Sequence, residues 1–106
     1  LRKKVQEADS VAVYGAGKFG KRFLDYLKKY QLDTKVSCVI VSKKSNEETM
    51  FAGIPILELK DYRKKMGEVI FVAMGGMNYK AVKKELDQRK ILDYEPVDEV
   101  FLETGR

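Results

Sequence analysis

Three glycines, Gly15, Gly17 and Gly20, stand in the spacing G-x-G-x-x-G where an apolar run, Val11 to Tyr14, gives way to a helix-like pattern. In such a strand, turn and helix each glycine has a mechanical task. Gly15 permits the tight turn, Gly17 lets backbone approach an anion, and Gly20 lets the helix pack closely on the strand. Amide groups at the helix start face whatever sits over the turn, and the helix dipole favours negative charge there. The chemistry is therefore anion binding, with Ala16, Lys18 and Phe19 completing the loop. Lys18, at the helix start, is better placed to meet a phosphate than Lys21.

A second glycine pair, Gly75-Gly76, ends another apolar run, Val69 to Ala73, and leads through Met77 to Asn78, a plausible N-cap for a helix burying Val82 and Leu86. A third run, Val36 to Val41, ends in Ser42-Lys43-Lys44. The candidate ligand-binding residues are Gly15, Ala16, Gly17, Lys18, Phe19, Gly20, Ser42, Lys43, Gly75, Gly76, Met77 and Asn78. Tyr14, at a strand end, reads equally well as core or as a surface under a base.

Catalysis has little to work with. The chain contains no histidine, which removes the usual general base, the usual metal ligand and every Ser-His or Cys-His nucleophile. No catalytic residue and no metal ligand is assigned. A single cysteine, Cys38, excludes an internal disulfide and lies in an apolar run as a small core residue.

The elements that must position these residues follow from periodicity. Runs 11–14, 36–41 and 69–73 are apolar without alternation, as parallel strands covered on both faces are. Phe19, Phe23, Leu27 and Tyr30 make one stripe of a helix over Lys18 to Tyr30, the lysines lying on its other side. Leu59, Tyr62 and Met66 predict a two-turn helix from Glu58, closed by Gly67. Between them, Phe51 to Ile56 is a turn into a short extended piece that Pro55 keeps off a central ladder position. Val97 to Leu102 reads as a short edge strand after Pro96. Leu1 to Asp9 reads as a frayed helical turn or a linker. The expected fold is α/β: a minimal Rossmann-like open parallel sheet of about four strands, order 2-1-3-4, with helices on both faces. Ligands of such sheets sit at the carboxyl ends of the strands where the order reverses. That places Gly15 to Gly20 on one wall and Met74 to Asn78 on the other, with Ser42 to Ser45 closing the flank.

With 106 residues the chain is one domain, too short for a complete two-halved dinucleotide fold, and its start at Leu1 reads as a domain excised from a longer chain. No apolar run approaches the roughly 20 residues of a membrane span and no secretory segment is visible, so a cytoplasmic location is expected. The net charge of +5 suits an anionic ligand or an acidic membrane surface. The lysines are spread over helix faces and no aromatic stacking platform is visible, so nucleic acid is not an expected partner.

The motifs V-Y-G-A-G-K-F-G (Val13 to Gly20), G-I-P-I-L (Gly53 to Leu57) and V-I-F-V-A-M-G-G (Val69 to Gly76) resemble the small Rossmann-like domains of bacterial surface-polysaccharide enzymes. The likeness is to the N-terminal nucleotide-sugar-binding domains of sugar O-acyl and N-acetyl transferases and to similar modules fused to glycosyltransferases. The resemblance covers most of the chain. It implies binding of a nucleotide or UDP-sugar, with acyl transfer carried by a flanking domain. Such domains carry an acidic residue near the end of the second strand, where this chain has Ser42-Lys43 and no acid before Glu47. That departure disfavours NAD; an NADP-binding fragment of an oxidoreductase is the alternative, since Ser42 with Lys43 suits a 2′-phosphate. A third reading is an interaction module that kept the fold and self-associates through strand 97–102.

Overall fold

A computed structural model describes residues 2–43 and 49–97. Six strands form one open sheet: β1 (Ser10–Tyr14), β2 (Val36–Val41), β3 (Met50–Phe51), β4 (Ile54–Glu58), β5 (Glu68–Val72) and β6 (Tyr94–Pro96). Their spatial order is β3-β4-β2-β1-β5-β6. All neighbours are parallel except β3 and β4, which form an antiparallel hairpin. Three helices complete the domain: α1 (Arg2–Glu7), α2 (Lys18–Lys29) and α3 (Gly76–Gln88).

The expected centre is present, since β2, β1 and β5 lie side by side with a last strand beyond. Side chains of β1 alternate between two apolar layers, which is why the run has no polar positions. Val11 and Val13 join Val5 of α1 and Phe23, Leu24 and Leu27 of α2. Ala12 and Tyr14 join Leu59, Tyr62 and, from α3, Val82 and Leu86. Helices thus cover both faces. Phe23 is fully buried with its ring centroid 5.7 Å from that of Phe71, and each such side chain contributes about 1.5–3 kcal/mol.

The expected count of four strands is corrected to six, because residues 50–58 add a hairpin to the outer edge of β2. Ala52 (φ 51°) and Gly53 (φ 81°) both occupy the left-handed region, the requirement of a two-residue type I′ turn. The helix expected from Glu58 to Met66 is one 3-10 turn, Leu59–Asp61, after which Tyr62 is extended (ψ 136°). Tyr62 leaves the helical path because its hydroxyl is held by a buried carboxylate described below. Met66 is wholly exposed, and Gly67 (φ 80°) turns the chain into β5 rather than capping a helix. The last strand lies at 94–96; Val97 is buried, and 98–102 fall outside the described residues.

Residues 2–7 are a docked helix. A six-residue helix is marginal alone, and here it is held by its neighbours. Val5 is buried, Arg2 stacks 4.5 Å over the Tyr30 ring, and Lys35 Nζ donates to the carbonyls of Gln6 (2.6 Å), Ala8 (2.7 Å) and Val5 (3.3 Å). The lysine therefore closes the helix's carboxyl end. At the far edge, the Tyr94 N–H donates to Leu92, the Val97 N–H to Val72, and Pro96 has none.

Both long helices end in the same paired bonds: Leu32 N–H to Leu27 O with Gln31 N–H to Lys28 O, and Ile91 N–H to Leu86 O with Lys90 N–H to Asp87 O. This is the Schellman ending, and it puts Gln31 (φ 58°) and Lys90 (φ 60°) in the left-handed region that favours glycine. Gln31→Gly and Lys90→Gly are each expected to raise stability by about 0.5–1 kcal/mol, relief of strain exceeding the added chain entropy. Urea unfolding midpoints check this; unchanged or lower midpoints would contradict it.

Candidate functional site

The carboxyl ends of β2, β1 and β5 converge on Gly15. Its N–H donates to Ile40 O at 2.9 Å, while Ala73 N–H donates to Tyr14 O at 2.9 Å. Gly15 has φ 126°, and a Cβ there would stand 2.7 Å from Ala73 O and 3.4 Å from Met74 Cγ. A Cβ on Gly20 would be driven into the Gly15 carbonyl oxygen. These two glycines are demanded by the fold itself.

Gly17 and Gly75 are different. They are the N-caps of α2 and α3, with φ −102° and −67°, values open to any residue. A Cβ on either would meet nothing within 4 Å. Neither helix has a side-chain cap or an acidic residue in its first turn. The first intrahelical bonds are Lys21 N–H to Gly17 O (3.0 Å) and Tyr79 N–H to Gly75 O (2.8 Å), so the N–H groups before Lys21 and Tyr79 have no intrahelical acceptor. Two positive helix ends, one from each face of the sheet, therefore open at the same edge.

The remaining expected residues divide. Lys18 is exposed at the first position of α2, while Phe19 and Ala16 pack against the core and serve the fold. Gly76 and Met77 open α3. Asn78 is the third residue of that helix, not its N-cap, because Gly75 already occupies the extended capping position. Ser42 and Lys43 are exposed just past β2, and Lys44 and Ser45 of the expected flank lie outside the described residues. Tyr14 is fully buried, so it is core and not a surface under a base. Its hydroxyl lies 2.7 Å from Ser42 Oγ. Cys38 is buried, as expected.

Sequence reasoning missed Glu68. It is completely buried, and its carboxylate accepts from Ser10 Oγ (2.6 Å), Ser37 Oγ (2.7 Å) and Tyr62 OH (2.5 Å). A shift of register between β1 and β2, where Val11 pairs with Val36 but Ala12 with Cys38, turns Ser37 toward it. Burial alone would raise the Glu68 pKa, but the three hydroxyl donors hold it below the usual carboxylate range. The same burial, with the carboxylate as acceptor, pushes the Tyr62 phenol strongly upward. The available signal was a polar residue at or next to the start of each central run: Ser10, Ser37 and Glu68.

This cage lies at the amino ends of the strands, opposite the glycine turns. A cavity of about 410 Å³ opens beside it, rimmed by Glu7, Asp9, Asp93 and Glu95; Glu95 pairs with Lys4 (2.9 Å) and Asp93 with Lys64 (3.3 Å). Its carboxylates make it a poor receptor for phosphate. Among the described residues no group of three or more His, Cys, Asp or Glu could hold a metal ion, and no helix is long and apolar enough to cross a membrane.

Fold and edge together define an open-sheet α/β domain with two glycine-capped helix ends at one rim. No protein-family model matches the chain, and no curated protein sequence matches it significantly.

Two outcomes separate fold from site. Gly20→Ala is expected to destabilise by more than about 3 kcal/mol or to prevent folding, since backbone must move to admit the methyl. Gly17→Ala is expected to cost under about 1 kcal/mol, the difference between glycine and alanine at an N-cap. Equal losses in urea titrations would contradict the division. For Glu68 the depressed folded pKa contributes stability that is present above the unfolded value near 4.3 and lost as pH falls through the folded value. Glu68→Gln should lose about 1–3 kcal/mol at pH 7 and flatten the decline of melting temperature below about pH 5. An unaltered acid limb would contradict the cage.

Proposed function

We propose that this domain binds a nucleotide or nucleotide sugar at the carboxyl edge of its sheet, the phosphates lying over Gly17 and Lys18 and against the start of α3. The observation that carries the reading is the pair of N-cap glycines whose missing side chains leave open space and whose backbone angles do not require glycine. A ligand in close contact with backbone is a physical reason for glycine at both. The uncapped N–H groups and Lys18 supply donors and positive charge to a diphosphate. In this reading the domain is a minimal Rossmann-like accessory module of a cytoplasmic bacterial surface-polysaccharide transferase. It is not catalytic alone, and flanking domains carry the chemistry. NADP is the second reading, favoured by Ser42 and Lys43 in place of a ribose-binding acid.

A melting-temperature titration with UDP, UDP-sugars, NADP⁺ and NAD⁺ tests it. A ligand at about 100 times its Kd adds about 2.7 kcal/mol, a shift of roughly 10 °C or more for a domain this size. UDP-type ligands are expected to give that shift for the wild-type chain and little or none for Gly17→Ala. A flat response to the whole panel would overturn the proposal.

A further inference from the structure

Tyr14 ends β1 with its side chain completely closed to solvent, and its hydroxyl lies 2.7 Å from Ser42 Oγ. Burial raises the phenol's pKa above its ordinary value, so the proton stays on the ring oxygen. That proton needs an acceptor inside the protein. Ser42 Oγ is the one in reach among the described residues, and a buried phenol hydrogen left without a partner would be costly. Tyr14 is therefore the donor and Ser42 the acceptor. Ser42 is exposed, and its own hydrogen, not needed by Tyr14, is available at the rim that carries the glycine turns. Lys43 follows with an ammonium group in solvent.

We infer that Tyr14 fixes Ser42 as an outward hydrogen donor which, with Lys43, receives an anionic oxygen carried by a sugar of the bound ligand. This rests on the nucleotide reading and adds to it the class of ligand. A carboxylate at this place would accept from two sugar hydroxyls. The oriented hydroxyl and the lysine present two donors there, one of them charged, and suit a phosphate monoester on the ribose or a carboxylate on the hexose. Tyr14 is a positioning residue and touches no ligand; Ser42 makes the contact.

Calorimetric titration of the full chain with two matched pairs tests this: UDP-glucuronate against UDP-glucose, and NADP⁺ against NAD⁺. Within each pair the change is a single sugar-borne anion. The anionic member of one pair is expected to bind about 10- to 100-fold more tightly, the worth of a hydrogen bond to a charged group. The pair that discriminates tells whether the anion sits on hexose or ribose. Ser42→Ala should bring the ratio to about one, and Ser42→Thr should retain it. Tyr14→Phe keeps the buried ring and should lower the ratio several-fold without abolishing binding, an effect that loss of packing alone would not produce. Neutral members that bind as well as anionic ones in both pairs would overturn this inference and leave the nucleotide reading standing. A wild-type preference undiminished in Ser42→Ala would also overturn it. Binding of none of the four would overturn both.

Discussion

The Gly15 carbonyl and the Cα of Gly20 lie so close that no side chain fits between them. This contact sets the height at which α2 leaves the sheet. From it follow the seating of Phe23 and Leu27 on the apolar layer, and the placing of the α2 amino end over the carboxyl end of β1. Gly15 is held from both sides, by Ile40 O on β2 and by the backbone of Ala73 beyond β5. The three central strands are thereby fixed at one level where the helices begin. A turn one residue longer would carry the first N–H groups of α2 away from those of α3.

The three glycines of the motif do not share one cause. Two answer to crowding within the chain and one answers to empty space, and only the latter says anything about a ligand. Gly75 repeats the empty-space condition on the opposite face without belonging to any recognisable spacing. A motif match weighs all its glycines alike. Asking what a methyl group would strike separates those that build the turn from those that leave room above it.

The central strands were legible because Val11–Tyr14, Val36–Val41 and Val69–Val72 are covered on both faces, a state that leaves continuous apolar runs. The α2 helix was legible from its glycine start and its stripe of Phe23, Leu24 and Leu27. What was hidden depended on partners far away in sequence. Tyr62 continued a helical spacing with Leu59, yet its hydroxyl belongs to Glu68, and that bond overrides local periodicity. Glu68 itself looked like the polar lead-in to a strand, since nothing local indicates that Ser10 and Ser37 supply it with donors. The helix ends were obscured for another reason, because Gln31 and Lys90 occupy positions where glycine is the usual sign. The glycine-lined edge was readable as a place, and the contact between the Tyr14 and Ser42 hydroxyls was not, because it needs two strands in register.

The β6 edge has a consequence for how copies of this domain can meet. Open sheets commonly fail by stitching a strand of one molecule onto the border of another. Along residues 94–97 an incoming chain would find carbonyl oxygens with no matching N–H, and two copies set edge to edge there would oppose acceptor to acceptor. The sheet therefore has a non-adhesive margin along residues 94–97. Among the described residues the opposite margin is Met50–Phe51, with Met50 more than half exposed. Among the described residues, misassembly under crowding should begin at the hairpin rather than along 94–97.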